Sequence, residues 1–193
     1  MESDLYTETP RLSLRPMGED LVDAVVRYYT RNREHLARWD PHRPPEYYTR
    51  PYWETRAATF ADDAAHDRHY RFCMVARAPM GAVDAGEVAG TVGVSNVVRG
   101  VLQSANLGFA VDASLEGQGV AYEGVRAVMS LAFGVIDLHR LEAGHRTENV
   151  RSGALLTRLG FERIGLARRY LLIDGAWRDH VLYQRLGDEA REL

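Results

Sequence analysis

The sequence predicts an α+β domain built on a mostly antiparallel mixed sheet, flanked by helices and containing one crossover. Three observations predict it. Residues 70–111 hold three strand-like stretches joined by short glycine-containing turns, which is the pattern of an antiparallel meander. Directly after them the apolar period changes, so a strand ending at Val111 feeds a helix from about Gln118. A second strand followed by a helix, His139–His145 and then Asn149 onward, comes next, before two closing strands.

Each element has its own signal. Arg11–Arg15 alternates and is stopped by Pro16, which reads as a short strand. From Gly18 the spacing becomes helical, with Leu21, Ala24, Val25, Tyr28 and Tyr29 on one face. A short helical piece spans Arg31–Trp39, and the four prolines of Pro41–Pro51 impose a loop. Pro51 suits the first turn of a helix running to about His66. Tyr70–Ala78 and Glu87–Val98 are strands, and Arg99-Gly100 turns the chain into a third, Gln103–Val111. The helix 118–136 buries Val125, Val128, Met129, Ala132 and Ile136. After the strand 139–145, Asn149 opens a helix carrying Leu155, Leu156 and Leu159, and Gly160 stops it. Phe161–Tyr170, a turn at Asp174-Gly175 and Arg178–Leu186 complete the sheet. The whole of 1–193 is expected to be a single domain with its core over about 10–187.

Composition excludes several chemistries. Hydrophobic residues make up 46% and charged residues 26%, and the net charge of −3 gives no bulk attraction to nucleic acid or anionic membrane. All 24 basic residues are arginine, so a Schiff-base lysine and a Walker-type lysine are both absent. Cys73 is the sole cysteine, which leaves no internal disulfide, and in Arg71-Phe-Cys-Met-Val75 it reads as a buried strand residue. The seven histidines show no metal-ligand spacing, so no metal is expected. Residues 1–5 have neither a basic start nor an apolar run, and no stretch reaches the ~18 apolar residues of a membrane span. The expectation is a cytoplasmic protein with no membrane and no direct nucleic-acid partner, either monomer or homodimer.

The stretch Leu107–Glu123 organises the rest. Between its strand and its helix stands Glu116-Gly117-Gln118-Gly119. A strand entering a Gly-x-Gly turn and then a helix aims backbone N–H groups at one place, with about half a positive charge from the helix dipole behind them. Taken alone, this is an ordinary strand-to-helix turn as readily as a phosphate cradle. The second helix N-terminus at Asn149 adds to it: two parallel strands splayed there would leave a slot for a long ligand. Its anionic part would meet the first helix, and its amides would pair with free strand backbone. Coenzyme A has that form, although the inference is not unique.

Ser114-Leu-Glu-Gly117-Gln-Gly119 resembles the Gln/Arg-x-x-Gly-x-Gly/Ala signature of the GNAT superfamily of N-acetyltransferases. Asn149-Val-Arg-Ser152 with Leu159-Gly160-Phe161 resembles that superfamily's second helix. Thr9-Pro-Arg-Leu12, Asn32-Arg33 with Trp39, Ser95–Gly100 and Tyr170–His180 are similar to the RimJ/RimL type, ribosomal-protein-alanine N-acetyltransferases, and the last two are nearest RimJ. The resemblance covers nearly the whole chain. It implies the GNAT acyltransferase fold, acetyl-CoA as cosubstrate, and direct attack of an amine on the thioester without an acyl-enzyme. It implies acetyl-CoA binding at Glu116, Gly117, Gln118, Gly119, Val120 and Ala121, with Asn149 on the pantetheine arm and Ser152 near the sulfur. Backbone N–H groups of Phe109–Val111, where such sheets carry a bulge, would polarise the thioester carbonyl.

Two departures stand out. Ser114 replaces the first Gln or Arg of the signature, and Leu156 occupies the place of the tyrosine acid found in many members. Ser152 is the substitute that the resemblance implies for that acid. As candidate bases the chain offers Glu142 and Asp179, each read more readily as a structural or solvated residue, while His180 reads as a strand histidine. Trp39, Tyr47, Tyr48 and Tyr52 either line an acceptor mouth or pack the proline-rich loop, and Arg151 faces either the 3′-phosphate or solvent. The implied acceptor is the N-terminal α-amine, alanine first, of a ribosomal or other protein. The alternatives are a small amine such as an antibiotic, or a coenzyme-A-binding module without turnover.

Overall fold

In the computed structural model, which describes residues 5–173 and 175–187, one eight-stranded sheet runs in the order β1-β2-β3-β4-β5-β6-β8-β7. The strands are β1 Thr7–Glu8, β2 Leu12–Pro16, β3 His69–Ala76, β4 Val88–Val98, β5 Ser104–Val111, β6 Arg140–Arg146, β7 Glu162–Ile173 and β8 Ala176–Leu186. The helices are α1 Val22–Arg31, α2 Arg33–Ala37, α3 Arg50–Ala65, α4 Val120–Gly134 and α5 Val150–Arg158. Every element read from the sequence is present. The two-residue β1 was missed because two residues carry no period, and Asp174 of the expected turn lies outside the described residues.

The apolar faces divide the core in two. Leu12, Leu14, Phe72, Met74, Val92, Val94, Leu107 and Leu141 pack beneath α4 and α5. On the other face Cys73, Val75 and Val88 pack with Tyr28 and Tyr29 of α1, Leu36 of α2, and Trp53, Ala57 and Phe60 of α3. Alternation along each strand sends successive side chains to opposite layers, so one sheet carries both. The helices α1 to α3 cover β2 to β4 only. Over β5 and β6 that face stays open, with Gly108 and Gly144 exposed.

All ladders are antiparallel except β5 with β6. That parallel ladder holds only Ser104–Asn106 against Arg140–Glu142. β5 continues to Val111 beside β4, and β6 continues to Arg146 beside β8, so the two strands part beyond Asn106 and Glu142. The crossover through α4 demands a parallel pair, and the parting is the slot.

α4 lies close on the sheet because of Gly124. A Cβ there would fall on the Met74 sulfur and come within 3.3 Å of Leu12 Cδ1. Gly124→Val should therefore destabilise the protein by about 1–3 kcal/mol through overpacking. Urea titration followed by circular dichroism would measure it, and an unchanged midpoint would contradict the tight seating of α4.

Candidate active site

The turn before α4 is a cradle of backbone donors. Gly117 and Gly119 have φ of 72° and 75°, a region where glycine is free and L side chains are strained. Among the described residues, the N–H groups of Gly117, Gly119, Val120 and Ala121 find no protein acceptor. Gln118 N–H reaches Leu115 O at 3.3 Å, so Gln118 contributes to the turn through that bond rather than as a free donor. A Cβ on Gly117 would meet nothing within 4 Å, and one on Gly119 only an Arg11 guanidinium nitrogen at 3.6 Å. Open space thus stands over unpaired N–H groups at a helix N-terminus, which fits a pyrophosphate. The Glu116 carboxylate is neutralised by Arg151, with His35 Nε2 3.7 Å away. Arg151 is mostly exposed and its charge is directed to Glu116.

The cradle is anchored by a residue the sequence reading did not single out. Asp112, 3% exposed, accepts from Ser114 N at 3.0 Å, Ser114 Oγ at 2.7 Å, Asn32 Nδ2 at 2.7 Å and Arg31 Nε at 2.7 Å. Asn32 Oδ1 in turn accepts from Ala113 N at 2.9 Å. Burial alone would raise the Asp112 pKa, and the donors from Asn32, Ser114 and Arg31 together reverse that and hold it below the ordinary carboxylate value. Ser114 also accepts from Ala82 N at 3.1 Å, so its hydroxyl serves the loop. The signal available in the sequence was Asn32-Arg33, one of the stretches carrying the resemblance, but nothing in the pattern pairs Asn32 with Asp112.

On the slot side of β5 the ladder itself shows which groups are free. Asp112 N–H donates to Ala89 O at 2.8 Å, and Val111 pairs with Gly90 and Phe109 with Val92. In such a register the N–H and C=O of Phe109 and Val111 point away from β4 and into the slot, while those of Ala110 face β4. The bulge expected at Phe109–Val111 is not there. The β4–β5 register runs unbroken from Ser95 to Gly90 and shifts between Ser95 and Val98, where Asn96 has φ of 53°. The donors need no bulge, because the missing partner strand already frees them.

Across the slot, α5 starts at Asn149, whose Oδ1 caps the helix by accepting from Ser152 N at 3.2 Å. Its Nδ2 remains available to a ligand carbonyl. Ser152 is half-buried in the first turn, and its hydroxyl has no partner among the described residues. Leu156 is buried against the core and 1% exposed, so it takes no part in proton chemistry.

The open face of the sheet separates the candidate bases. Glu142 and Gly144 share that face with Asn106 and Gly108, because the parallel register sets Asn106 beside Glu142 and alternation returns Gly108 and Gly144, each two residues on, to the same face. The half-buried Glu142 carboxylate has no hydrogen bond or ion pair among the described residues. Asp179 is occupied, since its Oδ1 accepts from Arg169 N at 2.8 Å and holds the β7 irregularity where Arg169 has φ of 50°. His180 is buried with Nδ1 3.1 Å from Arg178 O. The aromatics divide as well. Tyr47 is buried among Tyr29, Tyr48, Tyr52 and Trp53, so these rings pack the loop. Trp39 instead lies near Arg146 at the end of β6, where Arg146 also donates to Arg38 O at 2.8 Å. Of the four aromatics, Trp39 borders the open face.

Cys73 is buried and its thiol is pushed up to about 12 by burial, which removes it as a nucleophile. Among the described residues no group of His, Cys, Asp and Glu side chains is placed to hold a metal, and no helix is long and apolar enough to cross a membrane. A cavity of about 800 Å³ lined by Met17, Phe60, Arg71 and Ile136 lies at the other end of α4, away from the slot.

The acetyltransferase (GNAT) domain model matches residues 11–162. The chain is 34% identical over 174 residues to the ribosomal protein uS5-alanine N-acetyltransferase of Escherichia coli, covering 90% of this chain and 87% of that protein. A crystal structure of a ribosomal-protein-S5-alanine acetyltransferase from Vibrio fischeri superposes with a TM-score of 0.88 at 28% identity, covering 97% of this chain and 99% of that one. Mycobacterium smegmatis RimJ in complex with CoA-disulfide superposes with a TM-score of 0.83 at 31% identity, covering 94% and 84% of the two chains.

The lowered pKa of Asp112 gives a test of the anchor. A depressed carboxylate contributes stability that is present above its unfolded value of about 3.9 and is lost as pH falls through the folded value. Asp112→Asn should cost on the order of 1–3 kcal/mol at pH 7 and flatten the fall in stability below about pH 4. Denaturant titrations at several pH values would show this, and parallel curves for the two proteins would contradict it.

Proposed function

The chain belongs to the GNAT acetyltransferases, and from that premise we propose that it moves acetyl from acetyl-CoA to a protein N-terminal α-amine. The amine is that of alanine first, on a ribosomal protein, which places the reaction in the cytoplasm. The observation that carries this reading is the open, glycine-floored face over β5 and β6. Gly108 would tolerate a Cβ with nothing within 4 Å, so an extended peptide backbone can approach the sheet there. The 34% identity to a uS5-alanine N-acetyltransferase supports the acceptor class.

Acetyl-CoA supplies an activated acetyl thioester. The cradle N–H groups of Gly117, Gly119, Val120 and Ala121 bind its pyrophosphate, and Asn149 Nδ2 with the slot-facing groups of Phe109 and Val111 holds the pantetheine amides. A slot-facing backbone N–H also donates to the thioester oxygen as negative charge develops on it. As the amine nitrogen bonds to the acetyl carbon, its proton leaves to Glu142, directly or through one water. Ser152 Oγ–H donates a hydrogen bond to the sulfur as the carbon–sulfur bond breaks, and the proton held by Glu142 is released through solvent to the thiolate, so that the coenzyme leaves as the thiol and Glu142 is restored as a carboxylate. Weak basicity suffices here. An α-amine titrates near 7.7–8.0 and a lysine amine near 10.4, so about 3.4 kcal/mol of deprotonation need not be supplied.

The acceptor is tested by competition between a peptide beginning with alanine and the same peptide blocked at its N-terminus but carrying a lysine. Mass spectrometry should show acetyl on the first only, with a rate rising through about pH 7–8 and then flattening. Preference for the lysine peptide, or for a polyamine or aminoglycoside over both, would overturn the proposal.

The serine is tested separately. Ser152→Ala should lower kcat by roughly 10–100-fold with acetyl-CoA affinity unchanged, because the hydrogen bond strengthens only as thiolate charge develops. A normal kcat would return Ser152 to an ordinary first-turn residue.

A further inference from the structure

The signature position that usually carries Gln or Arg is Ser114, and its hydroxyl is turned away to Asp112 and Ala82. A different cation stands at the cradle. Arg11, at the entry to β2, is some hundred residues away in sequence and touches α4 at its first turn. Its Nε donates to Glu123 Oε2 at 2.6 Å, its backbone N–H to Glu123 Oε1 at 2.9 Å, and its Nη1 to Gln118 O at 2.9 Å. Thr9 Oγ1 donates to the same Glu123 Oε1 at 2.6 Å, so the carboxylate is itself fixed. These bonds leave Nη2 without a partner among the described residues, 3.6 Å from where a Cβ on Gly119 would stand. The planar guanidinium is thus held on two of its nitrogens and presents the third to the open space over the second cradle glycine.

We propose that Arg11 is a pyrophosphate-binding residue of this chain and replaces, from β2, the side chain that Ser114 does not supply. This rests on acetyl-CoA being the cosubstrate. Pre-fixing by Glu123 lowers the entropy lost when Nη2 meets a phosphate oxygen, since the side chain is already ordered. The Glu123 carboxylate neutralises part of the charge in the free protein, and its own charge is kept by the donors: burial would raise its pKa, and the bonds from Thr9 and Arg11 lower it. A plain clamp between β2 and α4 would need only Nε and Nη1. The geometry gives the spare nitrogen a place over the phosphate site.

The test compares acetyl-CoA with S-acetylpantetheine, which has the arm and the thioester but no pyrophosphate, by calorimetry. Arg11→Met keeps the apolar stem and should weaken acetyl-CoA about 10–100-fold, the loss of one charge-assisted hydrogen bond, with S-acetylpantetheine unchanged. Glu123→Gln loosens the clamp but retains the cation, and should weaken acetyl-CoA far less than Arg11→Met. Arg11→Lys, as a point charge, should restore part of the loss. Equal losses for both ligands, or equal losses in Arg11→Met and Glu123→Gln, would make Arg11 a structural clamp and overturn the proposal. Unchanged acetyl-CoA affinity in Arg11→Met would overturn it too. If the wild-type protein bound neither ligand, the cosubstrate reading would fail instead, so the two failures are distinguishable.

Discussion

The slot works only if the cradle loop stays in place where β5 loses its partner, and Asp112 is what holds it. A strand that has parted from its neighbour has backbone groups free on one edge, and such groups are useful to a ligand only if the strand does not drift. Asp112 stands one residue past the end of β5 and receives Arg31 and Asn32 from the end of α1 together with Ser114 from the loop itself. Its bonds therefore join the layer of α1 to α3 to the turn that starts α4. Because the carboxylate is buried, each donor is worth more than at the surface, and losing one leaves charge without compensation. Arg31 also reaches Val88 O on β4, which extends the same support to the strand beside β5.

From that anchor the division of labour between the sheet's two faces follows. The face beneath α4 and α5 is filled by large aliphatic side chains and carries the cradle and the Asn149 cap at its edge. The opposite face is filled only over β2 to β4, and over the parted strands it is lined by glycines and by the unpaired Glu142. That carboxylate is only half-buried and has no protein partner among the described residues, so an incoming ammonium or amine can pair with it without displacing a protein contact. Asp179 differs in having a protein partner, since its Oδ1 accepts from the backbone of β7.

Much of this was legible in the sequence, and what was not shares a physical cause. The period change after Val111, the glycines at 117 and 119, and the asparagine at 149 are local signals, and local signals place elements and helix N-termini. They placed the cradle and the slot. They could not place Asp112 against Asn32 or Arg11 against Glu123, because those contacts depend on how distant elements dock. The glycine pair is the clearest instance. Gly108 and Gly144 read as isolated strand glycines until the parallel register, which ends at Asn106 beside Glu142, puts both on one face just past the parting of the strands. Likewise Trp39 and Tyr47 are equivalent as aromatic residues near a proline-rich loop. Only docking on α1 and α3 buries Tyr47 and leaves Trp39 beside Arg146. The bulge expected in β5 failed for a related reason, since a family habit was taken for a requirement that the parted strands already meet.

The absence of lysine from the chain bears on how charge is used around the slot. A guanidinium can be fixed through two nitrogens and still present a third, which an ammonium on a flexible stem cannot do. Arg11 and Arg31 each divide the fork between a carboxylate, Glu123 or Asp112, and a backbone carbonyl, Gln118 or Val88, and the third nitrogen of Arg31 lies 3.9 Å from Glu87 Oε2. The carboxylates orient the forks, and the forks position the loop on either side. Net charge near the cradle therefore stays close to balanced in the free protein, while the donors that face the ligand are fixed in direction. Binding an anionic group then requires little rearrangement of the site, so the interaction free energy goes into holding the ligand rather than into ordering side chains.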